Sequence, residues 1–209
     1  MKELLTGNLP KSFLINDKEY PISSDFRDIV ELEEILSSEE LTDAEKGEQA
    51  LRLFYGCIPE DVETAVEKLC WFMQCGEKEN HRRKRRRATE DGSRQKEVYS
   101  FVHDAGLIYA AFMAQYGIDL ADTEYLHWWK FKAMFESLGK DTLMKEVMHC
   151  RAVDIDSKMP QGQKDYYNSM KQRYALPLPD GIEKQLSDLE AALMGDGNVS
   201  EVIGCRKKK

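Results

Sequence analysis

The chain has 209 residues, of which 42% are hydrophobic and 33% are charged, and its formal net charge is -8. This composition is typical of a soluble, helix-rich protein of one domain or two small ones, and the negative charge argues against a general binder of polyanions. The sequence has no signal-peptide pattern and no window near the roughly 20 apolar residues that span a bilayer. We therefore predict a cytoplasmic protein without membrane contact.

The first 76 residues predict a small β-hairpin followed by a compact helical unit. Asn16 and Asp17 separate two short apolar runs, which favours a hairpin that continues to Ile22. The helix pattern begins at Ser23 or Ser24, either of which is a good N-cap residue. We expect its inward face to consist of Phe26, Ile29, Val30 and Leu36.

Two more helices are predicted in this N-terminal unit. Thr42 and Glu45 form a capping-box pattern at the start of a helix that runs to Gly56. Pro59 is expected in the first turn of the next helix, and Gly76 is its stop signal. The apolar stripe of that helix is Val62, Ala65, Val66, Leu69 and Met73.

Residues 77–96 are predicted to be a charged linker because they contain almost no apolar side chain. Residues 1–79 hold 8 Lys and Arg against 19 Asp and Glu, so a basic run in this linker could lie along an acidic surface. Nucleic-acid contact and partner docking are the alternatives, although no aromatic side chains are interleaved for base recognition. The basic patch is Arg82, Arg83, Lys84, Arg85, Arg86 and Arg87.

Residues 97–194 predict an aromatic-rich helical unit. Its first helix is expected from Val98 to Tyr116, its second from a cap at Asp122 or Thr123, and its third from Asp141 or Thr142. The second helix is apolar over more than half its circumference, so it is either buried on two sides or meets a partner. The residues that could contact a partner are Tyr125, Trp128, Trp129, Lys130, Phe131, Lys132 and Phe135.

The end of the chain predicts two further helices and a tail. Pro160 opens one helix, and a last amphipathic helix carries Ile182, Leu186, Leu189 and Leu193. Residues 195–209 are predicted to be a flexible basic tail. The expected fold class is thus all-α, with two helical units joined by a charged linker and a small N-terminal β-hairpin.

No arrangement of residues predicts catalysis, a metal or a cofactor. The histidines and cysteine of the aromatic-rich unit have no metal-ligand spacing, and Asp154 and Asp156 are expected in a solvated loop. Phosphate-loop, dinucleotide-binding and nucleophile-elbow motifs are absent from the sequence. The ligand candidates considered are His103, His127, His149 and Cys150.

Several segments of the aromatic-rich unit closely resemble a protein family of tailed phages and prophages. The specific motif is Tyr125-Leu-His-Trp-Trp-Lys-Phe131, supported by Ile108-Tyr-Ala-Ala-Phe112 and Tyr116-Gly-Ile-Asp-Leu120. The chain is similar over most of its length to the gene-product-fifteen proteins of long-tailed phages that infect low-GC Gram-positive bacteria. Genes of that family lie between those of the tail-tube and tape-measure proteins.

The resemblance implies a non-catalytic tail assembly chaperone of a siphophage or prophage in the host bacterial cytoplasm. Such a protein would bind the tape-measure protein, keep it soluble and assist tail-tube assembly, and it could form a homo-oligomer. We expect Tyr125, Trp128, Phe131 and Phe135 to contact the tape measure, while the lysines beside them and the basic patch attract its acidic segments. The alternative is a phage accessory protein that contacts nucleic acid through residues 82–87.

Overall fold

The computed structural model describes residues 3–76 and 98–177. These residues form a mostly helical fold with one two-stranded antiparallel sheet, which confirms the predicted fold class. The elements in chain order are α1 (Glu3–Thr6), β1 (Ser12–Ile15), β2 (Lys18–Pro21), α2 (Phe26–Ser37), α3 (Asp43–Tyr55), α4 (Val62–Met73), α5 (Ala105–Tyr116), α6 (Trp128–Glu136), α7 (Leu143–Ala152) and α8 (Gln161–Arg173).

The predicted hairpin is present and is closed by a two-residue turn. Ile15 pairs with Lys18, and both turn residues have positive φ, 48° at Asn16 and 61° at Asp17. Asn and Asp tolerate this left-handed conformation, and turns of this kind match the natural twist of two paired strands. The sequence signal for the hairpin was therefore local and sufficient.

The capping signals of α3 and α7 also predicted the observed helix starts. The Thr42 hydroxyl accepts a hydrogen bond from the Glu45 backbone N–H, and the Glu45 carboxylate accepts one from the Thr42 backbone N–H. At α7 the Thr142 hydroxyl accepts a hydrogen bond from the Lys145 N–H. These caps need only residues within one turn, so the sequence contains all of their information.

Four other helix starts were predicted too early, and those of α5 and α6 have a tertiary cause. Helix α4 begins at Val62 after an N-cap at Asp61, so Pro59 precedes the helix instead of lying in its first turn. The carboxylate of Asp25, rather than Ser23 or Ser24, caps α2. Helix α5 begins only after Asp104, and α6 only after His127. The backbone ahead of α6 is bonded to α2 instead, because Leu126 N–H donates to the Asp25 carboxylate at 2.9 Å.

Met1–Ala175 forms one compact unit, and the described parts of its N-terminal and aromatic-rich halves share a single core. Phe26 of α2 stacks on Phe131 of α6 with ring centroids 4.7 Å apart. The backbone N–H of Trp128 donates to the Ser24 carbonyl at 2.8 Å. The sequence predicts two helical units for these halves, and in the described residues their apolar faces cover each other.

The other predicted boundaries fall largely outside the described residues. Linker 77–96, the last amphipathic helix around residues 182–193 and tail 195–209 are not part of the structure described. The second unit of the chain is Leu176–Lys209, of which only the first two residues are described.

Candidate partner-binding surface

The four aromatic residues of α6 that were predicted to contact a partner lie in the protein core. Trp128 and Trp129 are 0% exposed, Phe135 is 1% exposed and Phe131 is 2% exposed. The indole N–H of Trp128 donates to the Met73 carbonyl at 3.2 Å, and that of Trp129 donates to the Phe72 carbonyl at 2.8 Å. Buried indoles normally need such an acceptor. In this structure these side chains therefore support the fold, and almost none of their surface is exposed.

The width of the apolar stripe on α6 is explained by burial on two sides. Phe131 stacks on Phe26 of α2 and, at a centroid distance of 5.0 Å, on Phe112 of α5. On the other flank of α6, the ring centroid of Trp129 lies 5.3 Å from that of Trp71 of α4. Because neighbouring helices cover both flanks, a wide aromatic stripe does not require an external partner.

The remaining predicted contacts of this segment are more accessible. Tyr125 is 46% exposed and its hydroxyl lies 2.8 Å from that of Ser24, while Lys130 is exposed. Lys132 is half-buried, and its ammonium group donates to the Tyr99 hydroxyl at 2.8 Å. The same group lies 5.4 Å from the centre of the Phe101 ring, within the range of a cation–π contact. Lys132 is therefore held against buried aromatic rings, whereas Tyr125 and Lys130 are exposed to solvent.

A polar network joins the segment before α6 to the N-terminal elements. Arg27 donates to the carbonyls of Leu120 and Thr123. The His127 ring caps α6, because its Nδ1 accepts a hydrogen bond from the Trp129 N–H at 3.0 Å. Its Nε2 lies 3.1 Å from the Pro10 carbonyl, which can only accept, so the ring is the neutral Nε2–H tautomer. Burial lowers the pKa of His127, in agreement with this neutral form.

A buried ion pair joins the start of α5 to α7, and no sequence pattern predicts it. The Asp104 carboxylate accepts two hydrogen bonds from Arg151 of α7, at 2.6 and 2.8 Å. The Arg151 guanidinium also donates to the carbonyls of Val98 and Tyr174. Two residues 47 positions apart in different helices carry no sequence signal of pairing, although Asp104 was placed within a helix.

Helix α5 is apolar on the side that faces solvent as well as on the side that faces the core. Ile108, Ala111 and Phe112 are buried, and the helix contains no charged residue. Residues 105–118 include no charged side chain. A surface helix normally carries charged residues on its outer face. The exposed residues of α5 are Ala105, Gly106, Tyr109, Ala110, Met113, Ala114 and Gln115.

Two apolar grooves run along α5, one on each side. The α5–α7 groove has a volume of about 450 Å³ and is lined by residues that include Leu107, Ala110, Ala114, Asp141 and Leu143. The α2–α5 groove has a volume of about 350 Å³. Phe26, Arg27, Ile108, Tyr109 and Phe131 contribute to its lining. Phe131 is thus the one residue of the predicted aromatic set that lines either of these grooves in the described structure.

Comparison with known protein families identifies the group to which this molecule belongs. The sequence model of the family described as bacteriophage Gp15 protein matches residues 5–176. The chain belongs to the bacteriophage Gp15 family. This match confirms the resemblance predicted from the Tyr125–Phe131 motif. Neither the curated proteins nor the solved structures give a significant match.

The ligand candidates of this Gp15 protein do not come together. His103 and His149 are exposed, His127 caps α6, and Cys150 is buried. Among residues 3–76 and 98–177, no group of three or more His, Cys, Asp or Glu side chains could hold a metal ion. The same residues contain no helix with the length and apolar character needed to cross a bilayer. The basic patch of residues 82–87 lies outside the described residues.

Proposed function

We propose that this Gp15 protein is a tail assembly chaperone that binds the tape-measure protein of its phage and assists assembly of the tail tube. The observation that carries the proposal is the uncharged outer face of α5 with an apolar groove on each side. A chaperone for an apolar helical protein needs such a surface, together with a charged remainder that keeps the complex soluble. The net charge of -8 provides that remainder.

The proposed action requires no chemical step. The chaperone would cover apolar stretches of the tape measure in the host cytoplasm until tail-tube subunits replace it. Of the residues first expected to make contact, Tyr125 and Lys130 are exposed beside the core and remain contacts in this proposal. Trp128, Trp129, Phe131 and Phe135 act indirectly, because they hold α6 against the helices that flank it.

The proposal is tested by co-expression of this protein, as tagged bait, with the tape-measure and tail-tube proteins encoded beside it. The captured complex is washed at low and at high salt. Apolar contacts hold or tighten as salt rises, whereas phosphate contacts weaken steeply. We expect the tape-measure protein to stay bound through the high-salt wash.

A matched variant separates apolar binding by α5 from charge-dependent binding by the basic patch in the same experiment. Replacement of all six basic residues from Arg82 to Arg87 by Gln removes the charge of the basic patch and leaves α5 unchanged. We expect this variant to retain the tape measure at high salt as well as the original chain does. Recovery of nucleic acid at low salt only, with no tail protein in either wash, would contradict the chaperone proposal and favour the nucleic-acid alternative.

A further inference from the structure

We infer that the α5–α7 groove binds one α-helix of the partner, whose apolar stripe lies along α5 and whose basic side chain pairs with Asp141. This inference rests on the proposed function, since the helix is assigned to the tape-measure protein. It adds the position of the binding site and the chemistry of the segment that occupies it.

The shape of the groove fits a helix. One wall consists of Ala110 and Ala114, one turn apart on α5, and the opposite wall includes Leu143 at the start of α7. Small side chains let a second helix backbone come close, and the axes of two packed helices are about 8–10 Å apart. Leu143 is 44% exposed, so it is available to pack against the side chains of an incoming helix.

The polar groups of the groove, apart from one, are already bonded within the protein. Gln115 accepts from the Gly139 N–H and donates to the Ser137 carbonyl. The Thr142 hydroxyl donates to the Gly139 carbonyl at 2.7 Å. Because these groups already have hydrogen-bond partners, an occupant does not need to supply any to them. This favours an apolar occupant.

Asp141 is the exception and determines the charge of the occupant. Among the described residues that line this groove it alone is charged, and no hydrogen bond or ion pair of the described chain engages its carboxylate. Lys140 precedes it in sequence but does not line the groove. A partner helix with Lys or Arg at the matching end therefore gains a pair there.

The charge of Asp141 also argues against a second copy of this chain as the occupant. In a symmetric contact, the α5 helix of a second copy would itself bring no basic residue to Asp141, because α5 is uncharged. The α2–α5 groove is the weaker candidate, since the Arg27 charge on its rim already pairs with Asp25 at 3.1 Å.

The first test uses the full chain and the co-expressed tape-measure protein of the same phage. Ala110→Glu places a charge at an exposed position in the groove, and Ala44→Glu places the same charge at an exposed position of α3. We expect Ala110→Glu to reduce the retained tape measure by at least about tenfold, because a buried unpaired charge is costly at an interface. Ala44→Glu should retain as much as the original chain. Equal retention by both variants would overturn the inference.

The second test concerns the charge of the partner. Asp141→Asn removes the carboxylate but keeps the size of the side chain. We expect this variant to lose about half or more of its low-salt retention and to match the original chain at high salt, where surface pairs are screened. Retention that does not change with Asp141→Asn at low salt would overturn the assignment of a basic residue to the occupant.

Synthetic segments of the tape measure identify the occupant directly. Overlapping peptides of about 30 residues, long enough for a stable helix, are tested against the original chain and Ala110→Glu. Segments bound only by the original chain should carry an apolar helical stripe with Lys or Arg at one end. A set of segments bound equally by both proteins would overturn the inference.

Light scattering detects a dimer of this chain, and the tape-measure capture experiment distinguishes failure of the groove assignment from failure of the proposed function. A dimer of the original chain that Ala110→Glu dissociates would show that a second copy fills the groove, which overturns the assigned occupant. If the original chain retains the tape measure but Ala110→Glu has no effect, the chaperone proposal stands and the groove assignment fails. If the original chain retains no tape measure at either salt, the proposed function itself fails.

Discussion

Helices α5 and α6 are neighbours and both are rich in apolar residues, but they differ in what they expose to solvent. The large rings of α6, such as Trp128 and Phe131, are buried, whereas the small side chains Ala110 and Ala114 of α5 lie at the surface. An aromatic ring removes about 150–250 Å² from water when it is buried, far more than a methyl group does. The core therefore takes up the large rings of α6, and the exposed face of α5 consists of small residues together with Tyr109, Met113 and Gln115.

This comparison moves the candidate partner site from α6 to α5. A helix of large aromatic residues attracts notice in a sequence, but other parts of the same chain use its faces. An uncharged helix such as α5 resembles an ordinary core helix in sequence, although one side of it is exposed to solvent. The informative feature is the missing charge on the outer face of α5.

The largest expected effect tests the burial of α6. Trp128→Ala leaves a cavity and removes the indole hydrogen bond to the Met73 carbonyl, so it should lower the free energy of unfolding by about 3–5 kcal/mol. Urea denaturation followed by far-UV circular dichroism measures this loss. Trp71→Ala is the matched control, since Trp71 is 37% exposed and should cost less. An unchanged midpoint for Trp128→Ala would mean that α6 is not the core in solution.

The next largest effect tests the anchor of α5. Asp104→Ala leaves the Arg151 charge buried and unpaired, so it should cost about 3 kcal/mol of stability. The double variant Asp104→Ala with Arg151→Met removes both charges and should recover part of that loss. Thermal unfolding of the two variants checks this order. If the double variant is less stable than Asp104→Ala, the bonds from Arg151 to Val98 and Tyr174 matter more than the ion pair.

Acid pH is expected to destabilise the folded protein through His127, the residue that caps α6. Burial lowers the pKa of His127 in the folded protein, so the unfolded chain takes up a proton first as the pH falls. Stability contributed by the neutral ring is complete well above the unfolded pKa of about 6.5 and is lost as the pH falls through that value. A protonated Nδ1 could no longer accept the hydrogen bond from the Trp129 N–H.

His127→Asn tests this pH effect, because Asn can still cap the helix but does not titrate. When the pH is lowered from about 7.5 to about 5.5, the urea midpoint should fall less for His127→Asn than for the original chain. Burial raises the pKa of Glu33, which has the opposite effect on acid stability, but Glu33 is present in both proteins and cancels in the difference. An equal fall in both proteins would exclude His127 as the cause.

The smallest expected effect tests whether the outer face of α5 is free. Ala110→Glu should change the free energy of unfolding by no more than about 0.5 kcal/mol, since Ala110 is exposed and Glu is a good helix former. The same urea measurement checks it beside Trp128→Ala. A loss as large as that of Trp128→Ala would show that other parts of this chain cover the α5 face.

Local signals predicted part of this fold correctly. The Asn16-Asp17 turn, the Thr42 capping box and the Thr142 cap each depend on residues only a few positions apart. The late starts of α5 and α6 were not predicted, because Arg151 and Asp25 reach those segments from distant parts of the chain. The α4 stripe was also predicted only in part, since Val62 and Val66 are exposed and Ala65 and Leu69 are buried.

The sequence by itself determined the helical class, the hairpin, several caps and the family, since these depend on short motifs and on periodicity. It also showed that the aromatic helix needed cover on two sides, but not what would provide it. Only the tertiary structure decided that α2, α4 and α5 provide this cover, and that α5 keeps an apolar face toward solvent. Burial depends on which faces meet after folding, and that depends on contacts between residues far apart in sequence.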